Sequence, residues 1–253
     1  MDSLILIKKE DIYPFYKSEY FFERMFRKYS YIFPINRSRK LAGLVADLMG
    51  DGHIQKHTSW RLDYTSKSKQ ELLRFEKELC SLFGIKGKIR PCSTNKYSKT
   101  FNYGVNVKPV ALALHLCGAP KGAKVFQKFD IPSWILEDKE YFRAFIHRLF
   151  CCEGNVDYQK PAIELRMHKE KSIVSDGIKF FNKIKKYLKF YFDIITTNVF
   201  TGRSFSRKDG RETVEVRLKI CRKEPVNKFV KEIDFPPQTS NKKRIFSILN
   251  GNL

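Results

Sequence analysis

Two short stretches of this sequence share one pattern. The first runs from Leu41 to Ile54 and reads LAGLVADLMGDGHI, and the second runs from Phe145 to Val156 and reads FIHRLFCCEGNV. Each is an apolar run that ends in an acid, Asp51 or Glu153, followed by glycine, a polar residue and a β-branched residue. Because glycine directly after an apolar periodic run ends a helix, the pattern predicts two helices that each stop at a carboxylate. If these ends pack together, the two carboxylates form a site for a divalent metal.

The charge of the chain indicates its class of partner. Lys and Arg number 49 against 27 Asp and Glu, which gives a formal charge of +22 over 253 residues. Such an excess favours a polyanion, with nucleic acid before membrane. The six cysteines form no C-x-x-C pair and, together with the histidines, no zinc-finger spacing, which is typical of reduced thiols inside a cell. We expect no membrane partner and a cytoplasmic or nucleoid-associated location.

A repeated order of helices and strands follows each stretch. In the first copy Ser38 caps a helix that runs to Gly50, and Gly84 ends a later helix. The predicted strands of this copy are 53–57, 60–66, 86–91 and 101–107, and its later helices are 70–83 and 109–116. The second copy has a helix from about 140 to 152, strands at 155–159, 162–168, 194–200 and 213–221, a basic loop at 202–210, and helices at 174–190 and from about 225. Residues 131–138 are the predicted linker.

The two copies define a domain hypothesis. Residues 1–36, rich in aromatic and basic side chains, are predicted to form an N-terminal helical extension. Residues 37–136 form the first half and residues 137–253 the second. The fold class predicted from this order is α+β, with two pseudo-symmetric αββαββα halves.

Together the duplicated motif and the repeated pattern resemble the LAGLIDADG family of homing endonucleases, in the single-chain form with two motifs. The resemblance covers roughly Arg37 to the C-terminus. It implies a saddle of two antiparallel sheets with the motif helices paired at its centre. It further implies a monomer that cuts both strands of DNA at a long pseudo-palindromic site, with Mg²⁺ as cofactor and Mn²⁺ as a substitute.

The resemblance also implies roles for individual residues. Asp51 and Glu153 would hold the metal, with the backbone carbonyls of Gly50 and Cys152 as further ligands. Hydrolysis of a phosphodiester needs an activated water and a stabilised leaving oxygen, which carboxylate-bound metal ions supply. A basic residue near each metal would polarise water or phosphate. The candidates are Lys124 for the first half and Lys242 or Lys243 for the second, with Lys67 and its approximate counterparts Lys169 and Lys171 as further positions.

Alternate strand residues are expected to face the DNA groove, where Gln and Arg side chains contact base edges. The candidates in the first half are Gln55, His57, Thr65, Lys67 and Arg90, and those in the second half are Asp157, Gln159, Arg166, His168, Arg203, Arg207, Arg217 and Lys219.

Three residues depart from the family pattern. Met49 and Cys151 stand where an acid is usual. Arg148 stands where a small interface residue is usual, and a long cation at a tight helix crossing would distort packing unless it points outward. Two other functions of the same fold stay open: a DNA-binding regulator that does not cut, and a maturase that binds intron RNA. The retention of both acids argues against the regulator. An intein is disfavoured, because Met1 and the C-terminal Leu253 do not match the splicing residues.

Overall fold

The computed structural model describes residues 4–55, 60–92, 100–157, 159–236 and 240–249. The chain divides into two compact units, Met1–Gly122 and Ala123–Leu253. No helix in these described ranges combines the length and the apolar character that a membrane span requires.

The first unit contains the first predicted copy. Its elements are β1 (Ile5–Ile7), α1 (Lys9–Ile12), α2 (Glu19–Tyr29), β2 (Ile35–Asn36), α3 (Arg39–Met49), β3 (Gly52–Ile54), β4 (Leu62–Ser66), α4 (Lys69–Phe83), β5 (Lys88–Pro91), β6 (Phe101–Val105) and α5 (Lys108–Leu116). The Ser38 hydroxyl accepts a hydrogen bond from the Leu41 amide at 3.1 Å and so caps α3 as predicted. Gly84 ends α4 with a φ of 64°, which glycine adopts without strain.

The second unit repeats the order. Its elements are α6 (Ser133–Leu136), α7 (Lys139–Glu153), β7 (Gly154–Val156), β8 (Ala162–Glu170), α8 (Val174–Phe192), β9 (Phe200–Ser206), β10 (Glu212–Cys221), α9 (Lys223–Glu232) and α10 (Ser240–Leu249). The Asp138 carboxylate caps α7 by accepting from the amides of Glu140 and Tyr141 at 2.7 and 2.9 Å.

Sheet topology shows the duplication directly. The first sheet has the strand order β3-β4-β6-β5 and the second has β7-β8-β10-β9, with antiparallel neighbours throughout. In both units a long helix precedes the sheet, a second helix lies between its two strand pairs, and a third follows it. The predicted fold class, α+β with two αββαββα halves, is therefore confirmed.

Each sheet has a buried and a polar face. Along β8 the side chains of Ile163, Leu165 and Met167 are buried, whereas the alternate residues Arg166 and His168 are exposed. The short strand β4 alternates in the same way. Helix α4 packs on β4 and β6, and helix α8 packs on β8 and β10. The apolar core of each unit therefore lies between sheet and helices, and the opposite face is left for polar residues.

Residues 4–36 are attached to the first unit by backbone and side-chain contacts. Strand β1 pairs with β2, and the Arg37 amide donates to the Leu4 carbonyl at 2.8 Å. The Lys108 ammonium donates to the Phe15 carbonyl at 2.5 Å and lies 4.1 Å from the centre of the Tyr16 ring. The extension therefore packs against the half that follows it in sequence.

One sequence prediction about the second unit was wrong. The predicted strand 194–200 and basic loop 202–210 are replaced by β9, which pairs Ser206 with Glu212, so the turn is confined to 207–211. The predicted linker at 131–138 includes α6, in which Trp134 and Ile135 are buried. The two compact units divide between Gly122 and Ala123, and the boundary of the halves at 136 and 137 stays a prediction.

A buried ion pair joins α3 to α4 in the first unit. The Asp47 side chain is fully buried, and the Arg74 Nη1 atom donates to it at 2.8 Å. Arg74 also contacts Glu71 at 3.3 Å and Glu78 at 2.9 Å. Asp47 lies four residues before the motif acid Asp51. Leu149 lies four residues before Glu153 and is also fully buried. An apolar residue therefore fills the corresponding place in the second half.

We expect Arg74→Met to lower the free energy of unfolding by about 3–5 kcal/mol, because the buried Asp47 carboxylate loses this cation. The double variant Asp47→Leu with Arg74→Met should recover most of the loss, since it leaves no buried charge unpaired and places a leucine where the second half has Leu149. Urea unfolding of the full chain measures both.

Glu78→Gln is the control, because its half-exposed ion pair should be worth less than about 1 kcal/mol. Equal destabilisation by the single Arg74 variant and the double variant would contradict this role for the pair.

Candidate metal and nucleic-acid site

Asp51 lies at the junction between the first motif helix and its sheet. Residues 41–49 of α3 are buried, and Asp51 is exposed immediately before β3 begins at Gly52. A Cβ atom at Gly52 would lie 2.5 Å from Leu48 Cδ2 and 2.8 Å from Leu48 Cα. Only glycine therefore allows the strand to start against the helix end, and this close approach holds Asp51 at the turn.

Glu153 occupies the same junction in the second unit. It is the last residue of α7, it is half-buried, and β7 starts at the next residue. The Gly154 amide donates to the Phe150 carbonyl, and a Cβ atom at Gly154 would lie 2.3 Å from that oxygen. In both halves, therefore, a glycine packs against the helix residue four positions earlier and places an acid at the helix end.

The donors at these junctions have the chemistry that Mg²⁺ prefers. Within the described ranges, no group of three or more His, Cys, Asp and Glu side chains is arranged to hold a metal. Each junction nevertheless offers one carboxylate, Asp51 or Glu153, next to a backbone carbonyl, that of Gly50 or Cys152. Mg²⁺ takes hard oxygen ligands and keeps several waters, so such a sparse set is compatible with it.

The predicted basic residues of the second half lie on α10 beside this junction. Asn241 Nδ2 donates to the Gly154 carbonyl at 3.0 Å, which ties the start of α10 to the first residue of β7. Lys242 donates to Asp234 Oδ2 at 2.5 Å, whereas Lys243 is exposed. The structure therefore brings both predicted lysines to the segment that follows Glu153.

Lys124 lies in the second unit, although its predicted role was in the first half. Its carbonyl accepts a hydrogen bond at 2.9 Å from the Lys169 ammonium, which also donates to the Gln127 carbonyl at 2.8 Å. The Lys169 Nζ atom lies 3.5 Å from the centre of the Phe129 ring. These contacts fasten residues 124–129 to β8 and explain why the units divide at 122 and 123.

Lys169 is a buried cation in the core-facing row of β8. It alternates with Ile163, Leu165 and Met167 and is only 2% exposed. Burial, together with the nearby Lys124 charge, lowers the pKa of Lys169 to about 7, against the opposing effects of Asp176 and Glu153. Its electrostatic interaction with Glu153 shows that this lysine lies near the motif acid, which period-2 alternation alone did not indicate.

The polar face of the first sheet carries the predicted groove residues of that half. Gln55 Nε2 donates to Asp63 Oδ2 at 2.8 Å, and Asn102 Nδ2 donates to the Thr65 hydroxyl at 3.2 Å. Arg90, which pairs with Asn102 in register, is exposed on β5, and Lys67 is exposed after β4. His57 lies outside the described residues.

The second sheet brings four of its predicted residues into one charged network. Arg217 donates to Glu215 at 2.5 Å and lies 3.3 Å from Glu164. Arg166 lies 3.6 Å and His168 lies 3.7 Å from Glu215. Lys219, the fourth predicted member, lies 3.2 Å from Glu164. Burial raises the pKa of Glu215, but hydrogen bonding from Arg217 and the neighbouring cations lower it overall, so the carboxylate is ionised. The network holds Arg217 in a defined orientation.

The remaining predicted groove residues lie on or next to the two edge strands of the second sheet, β7 and β9. Asp157 and Gln159 are exposed after β7, where the Asp157 carboxylate accepts from the Gln159 amide at 2.9 Å. Arg203 is exposed on β9, and Arg207 begins the turn, with its guanidinium 5.2 Å from the centre of the Phe126 ring. Arg203 therefore belongs to a strand and not to the predicted loop.

Arg148 is buried, with only 5% of the residue exposed. His147 on the same helix lies 2.9 Å from the Ile233 carbonyl and 3.0 Å from the Asp234 carbonyl through Nδ1, which requires a proton on that nitrogen. Burial lowers the pKa of His147 and so favours the neutral ring.

Sequence reasoning missed the acids that organise both polar faces. Asp63 and Glu164 occupy corresponding positions, because each pairs in register with the residue two places after the motif acid. Glu215 adds a second acid on β10. Their alternation with apolar residues in the strands was a usable signal, but the search for cations that bind DNA passed over them.

No family model matches the sequence. The chain is similar to tRNA-splicing ligase RtcB from Pyrococcus abyssi, at 25% identity over 208 residues, from Pyrococcus furiosus, at 25% over 211, and from Methanopyrus kandleri, at 23% over 211. Each alignment covers 77% of this chain but 20–22% of the ligase. The chain therefore spans about a fifth of the length of the curated relatives it matches.

Two solved structures are also similar. One is the homing endonuclease I-WcaI bound to its DNA recognition sequence, with a TM-score of 0.49, 13% identity, and coverage of 94% of this chain and 98% of that chain. The other is the N-terminal LAGLIDADG domain of DUF199/WhiA, with a TM-score of 0.46, 14% identity, and coverage of 79% and 86%. At these scores the fold assignment rests on the duplicated strand order of the chain itself.

The buried Lys169 should give the stability of the protein a characteristic pH dependence. Because folding lowers the pKa of Lys169 from 10.5 to about 7, the unfolded chain holds a proton between these values that the folded chain has released. Stability contributed by this group is therefore lowest below pH 7 and rises as the pH rises through the window. Relative to Lys169→Met, the free energy of unfolding of the wild type should rise by up to about 1.4 kcal/mol per pH unit from pH 7 to 10.

Urea unfolding of both proteins at several pH values measures this difference. Lys208→Met, at an exposed turn position, is the control and should show no such trend. A difference between wild type and Lys169→Met that does not change with pH would contradict the lowered pKa.

Proposed function

We propose that this chain is a site-specific, Mg²⁺-dependent DNA endonuclease that hydrolyses phosphodiesters in both strands. The proposal rests on the repeated junction, at which an acid, Asp51 or Glu153, lies at a helix end and precedes a glycine. The glycine packs too closely against the helix for any side chain. Each of the two halves, which share one topology, has one such junction. A fold alone does not define an activity. The support for metal-dependent chemistry comes from the carboxylate that is repeated at the same place in both halves.

Asp51 and Glu153 are the proposed metal ligands, with the Gly50 and Cys152 carbonyls as further donors. When bound, Mg²⁺, or Mn²⁺ in its place, would supply Lewis acidity and lower the pKa of a bound water. The protein contributes negative charge at two defined positions in a strongly basic chain. These carboxylates would attract the metal ion, whereas the many Lys and Arg side chains around them would attract phosphate.

The basic residues would bind and orient the phosphate. Lys243, exposed on the helix that Asn241 ties to β7, is the better placed of the two α10 candidates, because Lys242 is already paired with Asp234. Lys124 is a corresponding candidate in the segment fastened by Lys169. An ammonium near a phosphate stabilises developing negative charge on its oxygens.

Double-stranded DNA is the proposed polymer. The charge of +22 supplies affinity through phosphate contacts, and the polar sheet faces supply side chains for base edges. Arg217, oriented by Glu215 and Glu164, is the clearest candidate for base readout, because a guanidinium with a fixed plane can form a bidentate contact with guanine. We propose that the protein acts as a monomer inside the cell, since one chain carries both motifs.

Two alternative functions use the same surfaces. A regulator would bind DNA without cutting it, and a maturase would bind intron RNA. The retention of both acids favours cutting over the regulator. The similarity to tRNA-splicing ligase RtcB spans only about a fifth of those proteins, so it does not support a ligase activity for this chain.

Replacing the acids should separate cutting from binding. We expect Asp51→Asn with Glu153→Gln to lower Mg²⁺-dependent double-strand cleavage at least about 100-fold, because metal catalysis contributes several kcal/mol. Each single variant should lose double-strand cleavage or retain only nicking. A randomised duplex library, incubated with Mg²⁺ or with EDTA and sequenced at cut ends, identifies the site on which the variants are compared.

Glu224→Gln, an exposed acid on α9, is the matched control and should cut normally. DNA affinity measured in EDTA should survive in all variants. Loss of affinity in the acid variants would show that the acids are structural, and selection of a site by the wild type without cleavage would favour the regulator.

Arg217→Lys should relax base preference at one position of the selected site. Lysine keeps the charge but lacks the planar fork, so we expect discrimination there to fall by about 1–3 kcal/mol while the salt dependence of binding is unchanged. Lys208→Gln is the contrasting variant, which removes charge without changing preference. Site selection repeated with each variant measures this, and an unchanged preference in Arg217→Lys would exclude the residue from base readout.

A further inference from the structure

A basic cavity lies on the first sheet, outside the motif junction. It has a volume of about 210 Å³, and its lining includes the side chains of Arg61, Lys86, Lys88 and Arg90 together with Gly104. Lys86, Lys88 and Arg90 are exposed, so the cavity opens to solvent. None of the four was selected for a joint role by the sequence, because they are spread over three segments.

The position of the cavity follows from strand register. Lys88 pairs with Gly104, and Gly104 pairs with Asp63. Residues directly opposite each other in a sheet share a face. The cavity is therefore on the polar face, which also carries Thr65 and Arg90, and not on the face covered by α4.

The floor of the cavity is built around Arg61. Its Nε atom donates to Asp63 Oδ1 at 2.8 Å, while Gln55 donates to the other oxygen of the same carboxylate at 2.8 Å. A Cβ atom at Gly104 would lie 2.8 Å from Arg61 Nη2. The guanidinium therefore lies directly against the strand backbone, in a space that exists because residue 104 has no side chain.

A second glycine brings the wall close to the floor. A Cβ atom at Gly87 would lie 2.5 Å from Cζ of Tyr103 and 2.7 Å from the Gly104 carbonyl oxygen. The Gly87 amide donates to the Tyr103 hydroxyl at 2.6 Å. This close contact fixes the backbone between Lys86 and Lys88, so both lysines start from a defined position at the cavity.

The cavity has an excess of positive charge. Arg61 is paired with Asp63, but Lys86, Lys88 and Arg90 form no ion pair within the described part of the chain. The second sheet differs at the corresponding place: Lys219 occupies the position of Gly104, and it pairs with Glu164 at 3.2 Å. There the cations are balanced by Glu164 and Glu215, whereas here Asp63 pairs with Arg61 and the other three cations outnumber it.

We infer that this cavity binds one backbone phosphate of the nucleic acid. Clustered Lys and Arg donors match phosphate oxygens, and an anion would relieve the repulsion among the cations. The inference rests on the proposed DNA-binding function but adds a specific subsite. It also makes the halves unequal, since only the first has this arrangement.

The decisive test is the interference pattern of neutral phosphates. The selected duplex is made with a single methylphosphonate at each successive position, and its affinity is measured in EDTA. Neutralising one particular phosphate should lower the affinity of the wild type. The same neutralisation should not change the affinity of the double variant Lys86→Gln with Lys88→Gln. The double variant should also show a salt slope smaller by about 0.9, the contribution of one phosphate contact.

Lys17→Gln with Lys77→Gln removes the same charge from exposed positions elsewhere in the first unit and should leave the interference pattern unchanged. Arg61→Gln is a second pocket variant and should abolish the same signal. Because Lys86 and Lys88 are exposed, the double variant should keep the thermal midpoint of the wild type.

An identical interference pattern in wild type and both pocket variants would overturn the inference, as would loss of the same signal in the control. Calorimetry with inorganic phosphate tests whether the cavity binds a free anion instead of the DNA backbone. If the wild type binds inorganic phosphate tightly, the pocket variants do not, and the interference pattern is unchanged, the assignment to backbone phosphate is also overturned. Cleavage by the wild type in Mg²⁺ is scored separately, so a protein that binds but does not cut would refute the endonuclease and leave the subsite standing.

Discussion

The close contact between a glycine and the preceding helix is the constraint on which each half depends. At Gly154 the chain passes directly from a helix into a strand, and at Gly52 it does so after only Gly50 and Asp51. A side chain at either position would collide with Leu48 or with the Phe150 carbonyl. Because the turn is this tight, the residue before the glycine must lie at the helix end, and in both halves that residue is an acid. The direction of the first strand, and hence the placement of the sheet, follows from the same step.

The two sheets solve the problem of crowded charge in different ways. In the second, the buried Glu215 and the half-buried Glu164 share the cations around them, so guanidinium groups are oriented at the cost of net charge. In the first, a missing side chain at Gly104 makes room for Arg61, and the neighbouring cations stay unbalanced. Oriented donors suit the reading of base edges, and unbalanced cations suit phosphate. In the proposed function, the two halves would therefore contribute differently to the binding of DNA.

Lys169 shows how a polar group can organise a core. Its ammonium is satisfied by two carbonyls and an aromatic ring and holds residues 124–129 against β8. Burial without such partners would be costly, so the segment and the lysine depend on each other. The interaction with Glu153 links this core feature to the proposed chemistry of the second half.

The sequence by itself determined the duplicated order of elements, the helix caps at Ser38 and Gly84, and the two acid-glycine junctions. These are local properties, set by periodicity, capping and the conformational freedom of glycine. Only the tertiary structure decided that β9 begins at Phe200, that Arg148 and Lys169 are buried, that Lys124 belongs to the second unit, and that Arg61 meets Lys86 and Lys88 in one cavity. Those outcomes depend on strand register and on contacts between residues far apart in the chain, and no local pattern encodes which distant side chains share a space.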